Sequence, residues 1–192
     1  MEQPGYRFKT IELDIAIQYG LPSSELLAEH KAAGVKLVVS DIDATLTNSH
    51  AGELSPQAKH FADTIEQNDL QLILVTNNNN TDFVYSIAED LSVPEERVFR
   101  PSSVFEHKPT PIMVRRAMHS LDVSPEKTFA VGDGGTDVIS FLASGIRKAS
   151  VCLNSPNAAN GYPFRRYVRS AEYKIGKQAV LLGLRIGLIT RF

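Results

Sequence analysis

One cysteine, Cys152, in 192 residues leaves no partner for an internal disulfide. The fold must therefore rest on its core, as suits a reducing compartment such as the cytoplasm. No apolar stretch approaches the ~20 residues of a spanning helix. The longest candidate, 179–189, contains Arg185. The opening Met-Glu-Gln-Pro-Gly lacks the basic-then-apolar order of a secretory leader. No repeat or low-complexity tract is visible beyond four asparagines, Asn77 to Asn80, too short a run to be prion-like. The formal charge is only −2, and nothing in the chain signals a nucleic-acid partner. What is present is ordinary for a globular protein: 43% apolar residues, enough for one domain with a sizeable core.

The charge is unevenly placed. Residues 1–146 hold 11 basic and 21 acidic side chains, whereas 147–192 hold 9 basic and one acidic, Glu172. A basic tail of this kind meets phosphates, lipid head groups or an acidic neighbour, and folding back on the acidic body is the plainest of these. Its apolar stretch 179–189 reads first as a last core element. A membrane-surface helix, giving peripheral membrane contact, is the other reading. We read one domain over 1–192, with a core at about 35–153, an N-terminal extension 1–34 and a basic C-terminal extension 154–192.

Ser23 or Ser24 can cap a helix running to Ala33, with Gly34 at its stop. An apolar strand is predicted at 35–40. Ser55-Pro56 opens a helix with Ala58, Phe61, Ala62 and Ile65 at helical spacing. A second strand follows at 71–75, a helix capped by Thr81, a short strand at 97–99, and a helix from Thr110-Pro111 to about Leu121. A fourth strand spans 128–131, a short helix 138–143, and a fifth strand 148–153. Strands alternating with helices across short loops predict an α/β fold: a Rossmann-like three-layer sandwich around a mainly parallel sheet.

Chemistry collects at the ends of these strands. Asp41 and Asp43 follow the first, and acids at i and i+2 of an extended segment point the same way. In open α/β sheets the carboxyl edge is where ligands bind. Thr76-Asn77 ends the second strand, His107-Lys108-Pro109 lies between later elements, and Asp133 with Asp137 follows the fourth. Together these groups suit a phosphate site. Asp41 can attack phosphorus and form an aspartyl phosphate, which water then hydrolyses. Asp43 can protonate the leaving oxygen and later take a proton from that water. Four carboxylates would repel one another without a cation, and Mg²⁺ suits a site of carboxylates, waters and phosphate oxygens. The Thr76 hydroxyl and the Lys108 ammonium are donors for the phosphoryl oxygens. Singly each piece is common: Asp-x-Asp arises by chance, and Asp137 fits a helix start on electrostatic grounds alone. Their order and placement carry the signal.

In combination the pieces resemble the motifs of the haloacid dehalogenase (HAD) superfamily of aspartate-nucleophile phosphatases, over about residues 35–153. Asp41-Ile42-Asp43-Ala44-Thr45-Leu46-Thr47 is similar to its first motif, Thr76-Asn77 to the second, Lys108 to the third and residues 132–137 to the fourth. The resemblance implies a Mg²⁺-dependent phosphomonoester hydrolase. It makes Asp41 the nucleophile, Asp43 the acid and base, and Thr76, Asn77 and Lys108 the binders of the phosphoryl group. It places the metal on Asp41, the Asp43 carbonyl and Asp133, with Asp137 as ligand or neighbour. Within the superfamily the chain is most similar to the phosphatidylglycerophosphate phosphatase-like branch, in its N-terminal stretch, Asn run and Lys-Pro. It departs from that branch at Ala44, commonly Asn there, and in having three residues rather than four between Asp133 and Asp137.

The intervals from Asp41 to Thr76 and from Thr76 to Lys108 are filled by the predicted elements and have no room for a cap domain. An uncovered site suits a macromolecular or interfacial substrate, or closure by a partner subunit in a homo-oligomer. Asn48, His50 and Glu53 lie in the flap after the first motif and can face substrate, although His50 reads first as an exposed loop residue. His30, His60, His107 and His119 show no metal-ligand spacing and read as structural or exposed. Two other functions share these features. One is a receiver-like signalling domain, which lacks the need for an acid at Asp43; the other is a non-catalytic phosphate-binding domain of the same fold.

Overall fold

A computed structural model describes residues 13–48 and 52–153. The basic extension 154–192 and His50 lie outside the described residues. Six strands form one sheet: β1 (Asp14–Tyr19), β2 (Leu37–Ser40), β3 (Gln71–Val75), β4 (Val98–Phe99), β5 (Thr128–Gly132) and β6 (Lys148–Leu153). Their order is β1-β6-β5-β2-β3-β4, and every pairing is parallel. Among the described residues the five α-helices are α1 (Ser24–Ala32), α2 (Pro56–Gln67), α3 (Thr81–Asp90), α4 (Ile112–Ser120) and α5 (Gly135–Ala143).

The period of two along each strand divides the core in half. Val38, Leu72, Leu74, Phe129 and Val131 pack with Leu27 of α1, Phe61 and Ile65 of α2 and Val84 and Ile87 of α3. Leu37, Val39, Ile73, Val75 and Ala130 pack on the opposite face with Met113, Val114 and Ala117 of α4 and Phe141 of α5. Strands covered on both faces read as continuous apolar runs, which is why 37–39 and 72–75 carry no alternation of polar residues. Each fully buried Leu or Phe contributes about 1.5–3 kcal/mol to this packing. Among the described residues there is no cap domain, and no helix is long and apolar enough to cross a membrane.

The helix signals act largely as read. Ser23 accepts from the Leu26 amide to cap α1. Pro56 sits in the first turn of α2 after Ser55. For α3 the cap is Asn80, not Thr81: its Oδ1 accepts from the Phe83 amide at 3.2 Å. The sheet also begins earlier than periodicity alone places it. Asp14–Tyr19 pairs with all six residues of β6 as an added edge strand. Its polar positions Asp14 and Gln18 break the apolar run that marked the other strands. His30 is structural: it is buried and its ring lies 4.2 Å from that of Phe129. His60 and His119 are exposed.

The strand order positions the site. From β2 the chain winds outward through β3 to β4, then returns to the other side of β2 with β5. The carboxyl end of β2 is thus the point where the winding reverses, and a crevice opens there in sheets of this kind.

Candidate active site

Asp41 follows β2, and its amide is tied to the Val131 carbonyl of β5 at 2.9 Å. The next residues turn sharply. Ala44 adopts φ 60, and the Thr47 hydroxyl closes the turn by accepting from the Ala44 amide and donating to the Ile42 carbonyl. The flap beyond is pinned at its base by a bridge between Thr47 and Leu54, with the Asn48 amide on the Glu53 carbonyl. Asn48 and Glu53 are exposed.

The turn separates the two acids. Asp41 Oδ1 accepts from the Lys108 ammonium, and its Oδ2 accepts from the Thr45 hydroxyl at 3.2 Å. Asp43 turns toward the end of β3. Its Oδ2 accepts from the Thr76 hydroxyl at 3.1 Å, and Asn78 Nδ2 reaches both its oxygens at 3.0 and 3.2 Å. Thr76 is fully buried and its hydroxyl accepts the Asn78 amide at 2.9 Å.

Lys108 links this group to the fourth motif. Its ammonium donates to Asp41 Oδ1, to Asp137 Oδ1 at 2.6 Å and to the Val75 carbonyl at 3.0 Å. Asp137 stands in the first turn of α5, where its Oδ2 accepts from the Gly134 amide at 3.2 Å. Asp41, Asp133 and Asp137 each offer an oxygen within 4.8 Å of the others'. Three convergent carboxylates are the hard oxygen donors that Mg²⁺ takes, so the residues present fit that ion. The Asp43 carboxylate faces Thr76 and Asn78 instead.

The electrostatics follow from burial. Asp41 is 5% exposed, Lys108 6% and Asp137 2%. Burial is the largest influence on Asp41 and pushes its carboxyl up to about 7; Lys108 pulls it down while Asp137 and Asp43 push it further up. For Lys108 burial opposes the charge, but the Asp137 and Asp41 carboxylates outweigh it and raise the ammonium above its ordinary value. The lysine is held charged between two acids.

Two neighbours on β5 and β6 are constrained by this cluster. A Cβ at Gly132 would lie 2.6 Å from Asp137 Cβ and 2.8 Å from its Cγ. Gly132→Ala is expected to displace Asp137 and lower stability by about 1–3 kcal/mol, read by urea unfolding; an unchanged midpoint contradicts the close approach. Cys152 is buried, and burial pushes its thiol up from 9.0 to about 12, aided by Asp133 and Asp137. The folded protein is expected to resist iodoacetamide at pH 8 and to be alkylated fully in urea, by intact-mass measurement. The sign also fixes a stability trend. The folded thiol keeps its proton while an unfolded one ionises near pH 9.0, so this contribution is lost as pH rises from 9.0 toward 12.

The expected residues thus fall into two groups: Asp41, Lys108, Asp133 and Asp137, and beside them Asp43 with Thr76. The Asn77 side chain bonds the Lys108 backbone. Thr45 and Asn78 contact the paired acids and were not singled out from sequence. The Asn run was the available signal, because asparagine brings both a donor and an acceptor to a carboxylate-rich corner.

A family model described as haloacid dehalogenase-like hydrolase matches residues 6–145. Among solved structures, the chain is similar to the cobalt-bound deoxy-D-mannose-octulosonate 8-phosphate phosphatase of Haemophilus influenzae. Identity is 14% and the TM-score 0.51, over 80% of this chain and 91% of that one. It is similar to an uncharacterized protein from Listeria monocytogenes at 14% identity and TM-score 0.50, over 71% of this chain and 99% of that one. A predicted phosphoglycolate phosphatase from Haemophilus somnus gives 24% identity and TM-score 0.45, over 53% of this chain and 47% of that one. The chain spans about half the length of this last protein. No curated protein matches the chain.

Proposed function

The chain belongs to the haloacid dehalogenase-like hydrolase family, and from this we propose that it is a Mg²⁺-dependent phosphomonoester hydrolase working through an aspartyl phosphate. The observation that carries the reading is the convergence of Asp41, Asp133 and Asp137 oxygens within 4.8 Å, bridged from Asp41 to Asp137 by the Lys108 ammonium. Asp41 is the nucleophile: its Oδ2, which among the described residues accepts from the Thr45 hydroxyl, attacks phosphorus as the ester P–O bond breaks. Asp43 gives the leaving alkoxide its proton. It then takes one from the water that attacks the aspartyl phosphate, so that inorganic phosphate leaves and Asp41 returns as a carboxylate.

Thr76 and Lys108 face the phosphoryl oxygens, where fixed donors stabilise the charge that develops in the transition state. Asp41, the Asp43 carbonyl and Asp133 would hold the metal, with Asp137 beside them. Mg²⁺ bound there supplies positive charge to offset the acids and the phosphoryl group. The domain extent 1–192 and the closure of an uncapped site by a partner subunit belong to the same proposal.

For the substrate, the Asn run and Lys108-Pro109 favour the phosphatidylglycerophosphate phosphatase-like branch and hence a lipid phosphomonoester. The deviations at Ala44 and between Asp133 and Asp137 favour testing soluble esters beside it. A panel of aryl phosphate, nucleotides, sugar phosphates and phosphatidylglycerophosphate is the test. We expect Mg²⁺-dependent phosphate release that stops on chelation and in Asp43→Asn. Release unaffected by chelation, or none from any ester, removes the reading.

A further inference from the structure

Within that phosphatase reading, we propose that Asn77 is a positioning residue: its side chain acts on the chemistry through Lys108 and does not itself bind substrate. Lys108 sits on the connection before α4, where no strand or helix pairs its backbone. Asn77 takes over that role from the end of β3. Its Oδ1 accepts the Lys108 amide at 2.7 Å, and its Nδ2 donates to the Lys108 carbonyl at 3.1 Å. One side chain thus satisfies both backbone groups of one residue across 31 positions of sequence. Such a two-point clamp fixes the Lys108 Cα and the direction in which its long stem leaves.

The ammonium at the end of that stem has no latitude. It must meet Asp41, Asp137 and the Val75 carbonyl together. A lysine stem has several rotatable bonds, so a backbone shift at its root would scatter its three contacts. Asn77 is also the neighbour of Thr76, whose hydroxyl bonds Asp43. The end of β3 therefore sets both groups of the site at once: Thr76 directly, and the cluster around Lys108 through the amide clamp. With Oδ1 and Nδ2 both engaged, the Asn77 side chain has little left to offer a phosphoryl group.

The test compares Asn77→Ala, Lys108→Ala and the double variant by steady-state kinetics on an aryl phosphate with saturating Mg²⁺. Asn77→Ala is expected to lower kcat about 100-fold with KM little changed, the size of effect that a misplacement of about 1 Å produces. The double variant should be no slower than Lys108→Ala alone, because the clamp has nothing left to position. Losses that multiply in the double variant, or a raised KM at unchanged kcat in Asn77→Ala, would overturn the proposal.

A second measurement needs neither turnover nor a folded Lys108 variant. Lys108 is 6% exposed, so its acetylation by N-hydroxysuccinimidyl acetate, followed by peptide mass spectrometry, should be slow in the parent protein. It should be markedly faster in Asn77→Ala, and equal rates would overturn the clamp. This second result stands even if no phosphate ester is hydrolysed, so failure of the positioning role and failure of the phosphatase reading are told apart.

Discussion

Asp41→Asn ends turnover. The expected fall in kcat is roughly 10⁴-fold or more, the scale seen when a covalent nucleophile is removed. An amide oxygen is a poor nucleophile toward phosphorus, and the acyl phosphate it would have to form has no route from Asn. The substitution is close to isosteric, and it removes a carboxylate that burial already holds up at about 7. Folding stability is therefore expected to be preserved in the metal-free protein, which separates lost chemistry from lost structure. Two measurements check this: release of the aryl alcohol, and acid-quenched labelling of the parent protein by a ³²P-phosphoester. The label should appear on the parent and be absent from Asp41→Asn. Full activity in the variant would remove the covalent route.

Lys108→Met is expected to cost about 3–5 kcal/mol of stability without divalent cation, as when one member of a buried ion pair is deleted. The two acids it bridges are 5% and 2% exposed and keep their burial when the ammonium is gone. Their repulsion then has one remedy, protonation. The Asp41 carboxyl is raised above its unfolded value of 3.8 even with the lysine present. A group raised in this way favours the fold below its unfolded value and loses that contribution as pH rises through the folded one. Lys108 is a group that holds this carboxyl down, so in the variant it lies higher still; the variant should thus be weakest on the alkaline side and recover as pH falls toward about 4. Mg²⁺ should raise its melting temperature more than that of the parent, since a bound cation replaces the missing charge. Chemical denaturation across pH, with and without Mg²⁺, reads both effects; a variant as stable as the parent at pH 8 contradicts this role for Lys108.

Much of this was legible in residue order. The strands β2, β3 and β5 announce themselves because a strand buried on both faces is apolar over most of its length. The acids stand out because they follow such runs directly. What sequence could not convey is how the turn at Ala44 divides two acids only two positions apart. Spacing put Asp41 and Asp43 on one face of an extended segment, but the chain leaves that geometry at φ 60, sending one acid to Lys108 and the other to Thr76 and Asn78. The Asn run was opaque for a related reason. Each of its members does something different: Asn77 clamps a backbone, Asn78 holds a carboxylate, Asn79 offers its carbonyl to Arg100 and Asn80 caps α3. Four identical letters give no hint of that division. The edge strand β1 escaped notice because nothing covers a sheet edge evenly, so its pattern is mixed.

The parallel pairing of β2 with β5 joins residue 37 to residue 128. A ribosome delivers the strand before Asp41 long before the partner that completes its far side, and with only β3 beside it β2 remains a raw margin. Contacts so distant along the chain slow folding. The acid tip of β2 thus gains Asp133 and Asp137 only after β5 is made. Any fragment ending short of residue 128 carries an exposed, sticky border where the finished protein keeps its reactive corner.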